Sequence, residues 1–123
     1  AFAAGMHGAT FGGNPISAAA AMAVLDTIQA DGLLANANAR GEQFRLRLAD
    51  VPGVSQARGA GLLVGIVLAD RIAKEVEVAA RAPGVLVNAP APDVIRLAPP
   101  PILSADEVEH GIAVLTESIE ALS

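Results

Sequence analysis

The chain reads as an α/β layer, a short mixed or antiparallel sheet with helices on one face, preceded by a long apolar helix. Three observations predict it. Along the chain, stretches of helical and strand character run as two helices, two strands, a helix, two strands and a helix. The strand-like stretches are short, apolar and bounded by Gly or Pro. At the end, Val108, Ile112, Leu115, Ile119 and Leu122 repeat as one apolar stripe behind a capping box of Ser104 and Glu107.

Taken in order, the first helix is announced by Asn14 as N-cap and Pro15 at the first helical position. It runs to about Ala30 and is apolar almost all round until Asp26, so it is expected to pack on more than one side, against a domain or subunit outside this chain. Asp31-Gly32 breaks it. The second helix has Asp31 as candidate N-cap and Leu33, Ala37, Phe44 and Leu48 at helical spacing, with Arg40, Glu42, Arg45 and Arg47 on its wet face. Val51-Pro52-Gly53 turns the chain into strands expected over 54–58 and 62–68, around Gly59-Ala60-Gly61. The second strand carries Gly65, as where a helix crosses closely. A helix follows over 71–82 and stops at Pro83-Gly84; a strand is expected over 85–87, then a rigid Pro90-Ala91-Pro92 corner and a last strand over 94–97.

Composition narrows the partners. The chain has 123 residues, 53% of them hydrophobic, and a net charge of −5. Its eight basic residues are scattered and it has no Trp or Tyr, which argues against nucleic acid. With no cysteine, disulfides and thiolate metal sites are excluded; this is compatible with a reducing cytoplasm, the expected location, without establishing it. His7 and His110 make no metal-ligand spacing, so no metal is expected. The longest apolar runs, 18–25 and 62–69, are too short to span a bilayer, and no membrane partner is expected. The opening Ala1-Phe2-Ala3-Ala4-Gly5 has no initiator Met, and the chain reads as a piece of a longer protein.

Two places invite chemistry. The Gly-rich loop from His7 to Asn14 leads into a helix start, where backbone N–H groups and the helix dipole favour an anion; its glycines serve equally well to solve a steric problem. Arg96 lies between apolar neighbours, where its guanidinium fork suits a carboxylate, either a substrate's or that of a structural Asp or Glu partner. Lys74 is the one lysine and sits among Arg71, Glu75 and Glu77, a solvated helix face rather than a Schiff-base environment. Glu75 and Glu77 face different ways and make no acid–base pair. His110 is expected at the surface, and His7 in a structural role within the loop.

Together these residues resemble a known family. His7-Gly8-Ala9-Thr10-Phe11-Gly12-Gly13-Asn14-Pro15 resembles the HG(S/T)TFGGNP loop of class III pyridoxal-phosphate aminotransferases. Arg58-Gly59-Ala60-Gly61-Leu62-Leu63-Val64-Gly65 is similar to their RG-x-GL-hydrophobic-G strand pair. Leu86-Val87-Asn88-Ala89 with Asp93-Val94-Ile95-Arg96-Leu97-Ala98-Pro99-Pro100 resembles their LVN…VIRLAPP segment. Phe11 and the Leu-Val-Asn-Ala wording tip the likeness towards the branch that acts on acetylornithine. Pro101 stands where the family more often has Leu or Val, a departure that bears on the local turn.

The resemblance implies the small C-terminal domain of a fold-type I enzyme. It divides the chain into a cofactor-phosphate loop (1–14), an inter-domain helix (15–30) and a C-terminal small α/β domain (31–123). It implies pyridoxal 5'-phosphate as cofactor, with Thr10 reaching across a homodimer to the phosphate held by the neighbouring subunit. Ala9 stands near the substrate where the family usually has Ser or Thr, so only backbone or van der Waals contacts remain there. Arg96 matches the arginine that binds the α-carboxylate of a substrate, glutamate or 2-oxoglutarate, and that can otherwise pair with a glutamate. The Schiff-base lysine, the aspartate at the pyridine nitrogen and the stacked aromatic lie upstream in the family, so no catalytic residue is expected in this chain. The expected parent reaction moves an amino group between N-acetylornithine and 2-oxoglutarate in arginine synthesis, and the fragment alone is expected to be inactive. The alternatives are a fragment of an ω-aminotransferase acting on ornithine, succinylornithine or 4-aminobutyrate, or a non-catalytic stand-alone binding module.

Overall fold

The computed structural model describes residues 3–5 and 8–123, and His7 lies outside the described residues. The chain divides into two units, one up to Leu33 and one from Leu34 to Ser123.

In the first unit, helix α1 (Pro15–Ala30) opens on Asn14, whose side chain accepts from the Ser17 N–H at 3.0 Å. Pro15 at the first helical position loses no bond by lacking its N–H. None of the residues of α1 is buried. Asp31 caps its C-terminus, donating its backbone N–H to the Thr27 carbonyl at 3.0 Å, and Gly32 follows at φ +62°. Asp31 therefore closes the first helix, where the sequence suggested that it opens the second.

The second unit is built on a four-stranded antiparallel sheet, β1 (Val54–Ala60), β2 (Leu63–Leu68), β3 (Asn88–Ala91) and β4 (Val94–Leu97), in the order β1-β2-β4-β3. Along β2, Val64, Ile66 and Leu68 are buried while Leu63 is exposed, as the two-residue period of a strand dictates. Ile95 and Leu97 of β4 extend the buried face. Helices α2 (Leu33–Ala49), α3 (Ala73–Arg81) and α4 (Ala105–Glu120) supply Phe44 and Leu48, Val76 and Ala80, and Val108, Ile112, Leu115 and Ile119 to the same core. The helices thus cover one sheet face, as the sequence predicts, and the other face carries Leu63, Gly65, Val94 and Arg96.

Two elements differ from the sequence reading. The strand expected over 85–87 forms over 88–91 instead. Val85 is taken up by the exit from α3, its N–H bonded to the Ala80 carbonyl at 3.0 Å, and Leu86 is 80% exposed. Pairing starts only at Asn88, so Pro90 falls within an edge strand, where a missing N–H is tolerated, and the corner moves to Pro92-Asp93. The stripe on α4 is also wider than the sequence suggested: Gly111, Val114 and Ser118 are buried beside it, with Phe44 packed against Gly111, whereas Leu122 falls beyond the helix and is 39% exposed. The Ser104–Glu107 capping box is present, with the Ser104 N–H donating to Glu107 at 2.8 Å and the Glu107 N–H to Ser104 Oγ at 3.2 Å. The turn around Pro101 is held by Asn36, whose Nδ2 donates to the carbonyls of Pro101 and Leu103, each at 2.9 Å. Among the described residues no single helix is long and apolar enough to cross a membrane.

Candidate functional site

Arg96 projects from the open face of the sheet. Its alternation partners Ile95 and Leu97 take the buried face, so the strand period forces the guanidinium outward. Register then decides its neighbours. Arg96 stands directly opposite Gly65 of β2 on one side and Asn88 of β3 on the other, and Gly65 stands opposite Arg58 of β1. The row Arg58–Gly65–Arg96–Asn88 crosses all four strands. A cleft of about 400 Å³ opens on this face, with Arg58, Gly59, Leu63, Gly65, Val94 and Arg96 among its walls. Its floor is apolar and its two charges are both cationic.

The sequence left Arg96 open between a substrate carboxylate and a structural ion pair. Among the described residues no Asp or Glu pairs with it, and it is exposed. The ion pairs lie elsewhere: Arg47 with Glu109 at 2.8 Å, and Glu77 with Lys74 and Arg81. Arg58 went unremarked in the sequence beyond its place in a motif. No local pattern signals its role, because its position beside Gly65 is set by pairing between strands.

Glu77, which the sequence reading placed on a solvated helix face, turns inward instead. It is buried on α3 and accepts from Lys74 Nζ at 2.9 Å, the Ala89 N–H at 3.0 Å and Arg81 Nη2 at 3.4 Å. The bond from Lys74 first, and then that from the Ala89 N–H, holds its carboxyl below the usual carboxylate range against an opposing effect of burial. Glu77 ties α3 to β3, the strand that flanks Arg96 on its outer side. The signal available in the sequence is the spacing Lys74, Glu77, Arg81, which puts both cations within one helical turn of the carboxylate. Lys74 is thus bonded to Glu77.

In the first unit, Ala9 and Thr10 lie on an exposed turn ahead of α1. The Ala9 carbonyl accepts from the Gly12 N–H at 3.3 Å, and the Phe11 carbonyl from Asn14 Nδ2 at 2.7 Å. Two acceptors of the loop are therefore consumed internally, while the Thr10 hydroxyl makes no hydrogen bond of its own among the described residues. A turn with a free hydroxyl donor at a helix start suits an anion such as a phosphate. Gly13 takes φ +74°, a backbone angle that side chains disfavour, and so brings the chain into Asn14. Among the described residues no group of three His, Asp or Glu side chains is placed to hold a metal ion.

Comparisons with known proteins agree on one family. The model of the class-III aminotransferase family matches residues 1–119. The chain is 46% identical over 119 residues to acetylornithine aminotransferase of Mycobacterium leprae, covering 95% of this chain and 30% of that protein. It is 50% identical over 113 residues to the acetylornithine aminotransferase of Streptomyces coelicolor, covering 90% of this chain and 28% of that one. Among solved structures, acetylornithine aminotransferase from Elizabethkingia anophelis superposes with a TM-score of 0.85 at 31% identity, over 98% of this chain and 33% of the other. An ornithine aminotransferase from Toxoplasma gondii, whose structure shows partial occupancy of pyridoxal phosphate at its active site, gives 0.83 at 30% identity, over 97% of this chain and 30% of that one. The chain spans about three tenths of the length of the curated relatives it matches. With the loop, the strand pair and the arginine strand all inside the matched segment, the chain belongs to the class-III aminotransferase family.

Proposed function

We propose that this chain is a segment of a pyridoxal-phosphate-dependent aminotransferase that moves an amino group between N-acetylornithine and 2-oxoglutarate, in arginine synthesis. One observation carries the reading: Arg96 stands exposed, with no acid partner among the described residues, on the open face of the sheet. A guanidinium held this way is a ready fork for the carboxylate of glutamate or 2-oxoglutarate. Identities of 46% and 50% to proteins named acetylornithine aminotransferase support the choice of amino donor. Fold likeness alone does not separate the donors, since an ornithine aminotransferase superposes almost as well.

The cofactor fits the first unit on the same terms. Thr10 would donate its hydroxyl to the phosphate, from a turn whose nearby carbonyls are already engaged. The pyridoxal group, when bound, supplies the carbonyl that takes up the amino group from one substrate and returns it to the next. What this chain adds is binding: Thr10 holds the phosphate of the neighbouring subunit in a homodimer, Ala9 leaves room beside the substrate, and Arg96 orients the carboxylate. Turnover needs a lysine outside this segment, because Lys74 is bonded to Glu77 on the surface of α3. The 123 residues alone are therefore inactive, and the whole enzyme works in the cytoplasm.

In the full-length protein, amino transfer from N-acetylornithine to 2-oxoglutarate is expected to outpace transfer from ornithine, succinylornithine or 4-aminobutyrate. A larger kcat/KM for any of those three would displace the donor assignment. Thr10→Ala is expected to weaken cofactor retention by about tenfold, the worth of one hydrogen bond to a charged group. Dialysis followed by cofactor absorbance measures it, and unchanged retention would remove Thr10 from the phosphate site.

A further inference from the structure

Residues directly opposite in antiparallel strands point to the same side, so register places Arg58, Gly65 and Arg96 side by side on the open face. Two strand spacings separate the arginine Cα atoms by about 10 Å. The residue between them has no side chain. Arg58 leans into that gap: a Cβ built on Gly65 would meet Arg58 Cγ at 3.8 Å and Nε at 4.0 Å. Both arginines line the same cleft, and neither has an ion pair or hydrogen bond to an acid among the described residues. Two cations in one cleft, one of them leaning over the bare glycine that separates them, leave their mutual repulsion unanswered until an anion enters.

We propose that Arg58 is a second carboxylate-binding residue, closing with Arg96 on one substrate carboxylate above Gly65. The inference rests on the reading of Arg96 as a substrate-carboxylate arginine. A carboxylate has two oxygens and about four acceptor sites, enough for two guanidinium forks at once. Gly65 is part of the device. At 3.8–4.0 Å a single methyl already touches Arg58, so a branched side chain there drives Arg58 out of the gap.

The test uses the full-length enzyme, with KM for 2-oxoglutarate and the inhibition constant of glutarate as readouts. Arg58→Gln is expected to raise both by about tenfold, more than it lowers kcat. Arg58→Lys, which keeps the charge but loses the fork, recovers only part of the loss. Gly65→Val reproduces the effect with both arginines unmutated, by displacing the Arg58 side chain. The double variant Arg58→Gln/Arg96→Gln falls short of the product of the single effects, because both forks address one carboxylate. If Arg58→Gln leaves KM and glutarate inhibition unchanged while Arg96→Gln raises them, Arg58 is no ligand and the reading of Arg96 stands. If Arg96→Gln also has no effect, that reading itself fails. Multiplicative losses, or a loss confined to kcat, overturn the shared carboxylate. Where Arg58→Gln does not fold, the Lys and Gly65→Val variants decide.

Discussion

Glu77 shows how one residue can support a site it does not touch. Its carboxylate gathers Lys74, Arg81 and the Ala89 N–H, and so fixes the edge strand against α3. Because these bonds lower its folded pKa, the stabilisation is complete above the ordinary carboxylate range and is lost as pH falls through that range towards the lowered value. Glu77→Gln keeps the shape but not the charge, so it is expected to lower the unfolding midpoint at neutral pH and to match the parent in acid. Paired thermal melts at the two pH values check this, and a gap that persists in acid would assign the loss to packing. Arg96 was legible in the sequence because a motif surrounds it. Arg58 and Glu77 were less so: one depends on which strands pair, the other on which helix face turns inward, and neither is written locally.

At the scale of elements, the least forgiving contact is between two glycines. Gly41 in α2 is buried against the turn that joins β1 to β2, where Gly61 takes φ +50°. A Cβ built on Gly41 collides with the Gly61 carbonyl and lies 3.2 Å from its Cα. The obstacle is backbone and has no rotamer to yield. Gly41→Ala, although it favours helix in isolation, is expected to cost about 3 kcal/mol or more, read as a shift in denaturant midpoint. A neutral or stabilising result would mean that α2 slides freely on the hairpin. At the other end of the domain, Ser104→Ala removes a cap written plainly in the sequence and is expected to cost about 1 kcal/mol. Capping, helical periodicity and turn glycines are short-range signals, which is why the three long helices α1, α2 and α4 and the hairpin were legible. The edge strand was not, because Val85-Leu86-Val87 reads as a strand in composition while the exit from α3 claims Val85.

For the molecule as a whole, apolar surface is distributed unevenly. The second unit closes its core on one sheet face. Helix α1 closes nothing: Ile16 is 83% exposed, and Met22, Val24 and Leu25 are each more than half exposed. Side chains of this kind leave water whenever another apolar surface is available, and contiguous patches of them mark interaction sites. The 123-residue chain prepared alone is therefore expected to self-associate, with a sedimentation coefficient that rises with concentration. Replacing Met22, Val24 and Leu25 together by Glu leaves the second unit's core untouched, since none of the three belongs to it. That variant is expected to sediment as a monomer while keeping the far-ultraviolet signature of its sheet and helices. A parent chain that stays monomeric at high concentration would show that α1 hides its apolar residues by itself. A variant that still associates would move the sticky surface to the open sheet face, where Leu63 is 62% exposed beside the two arginines.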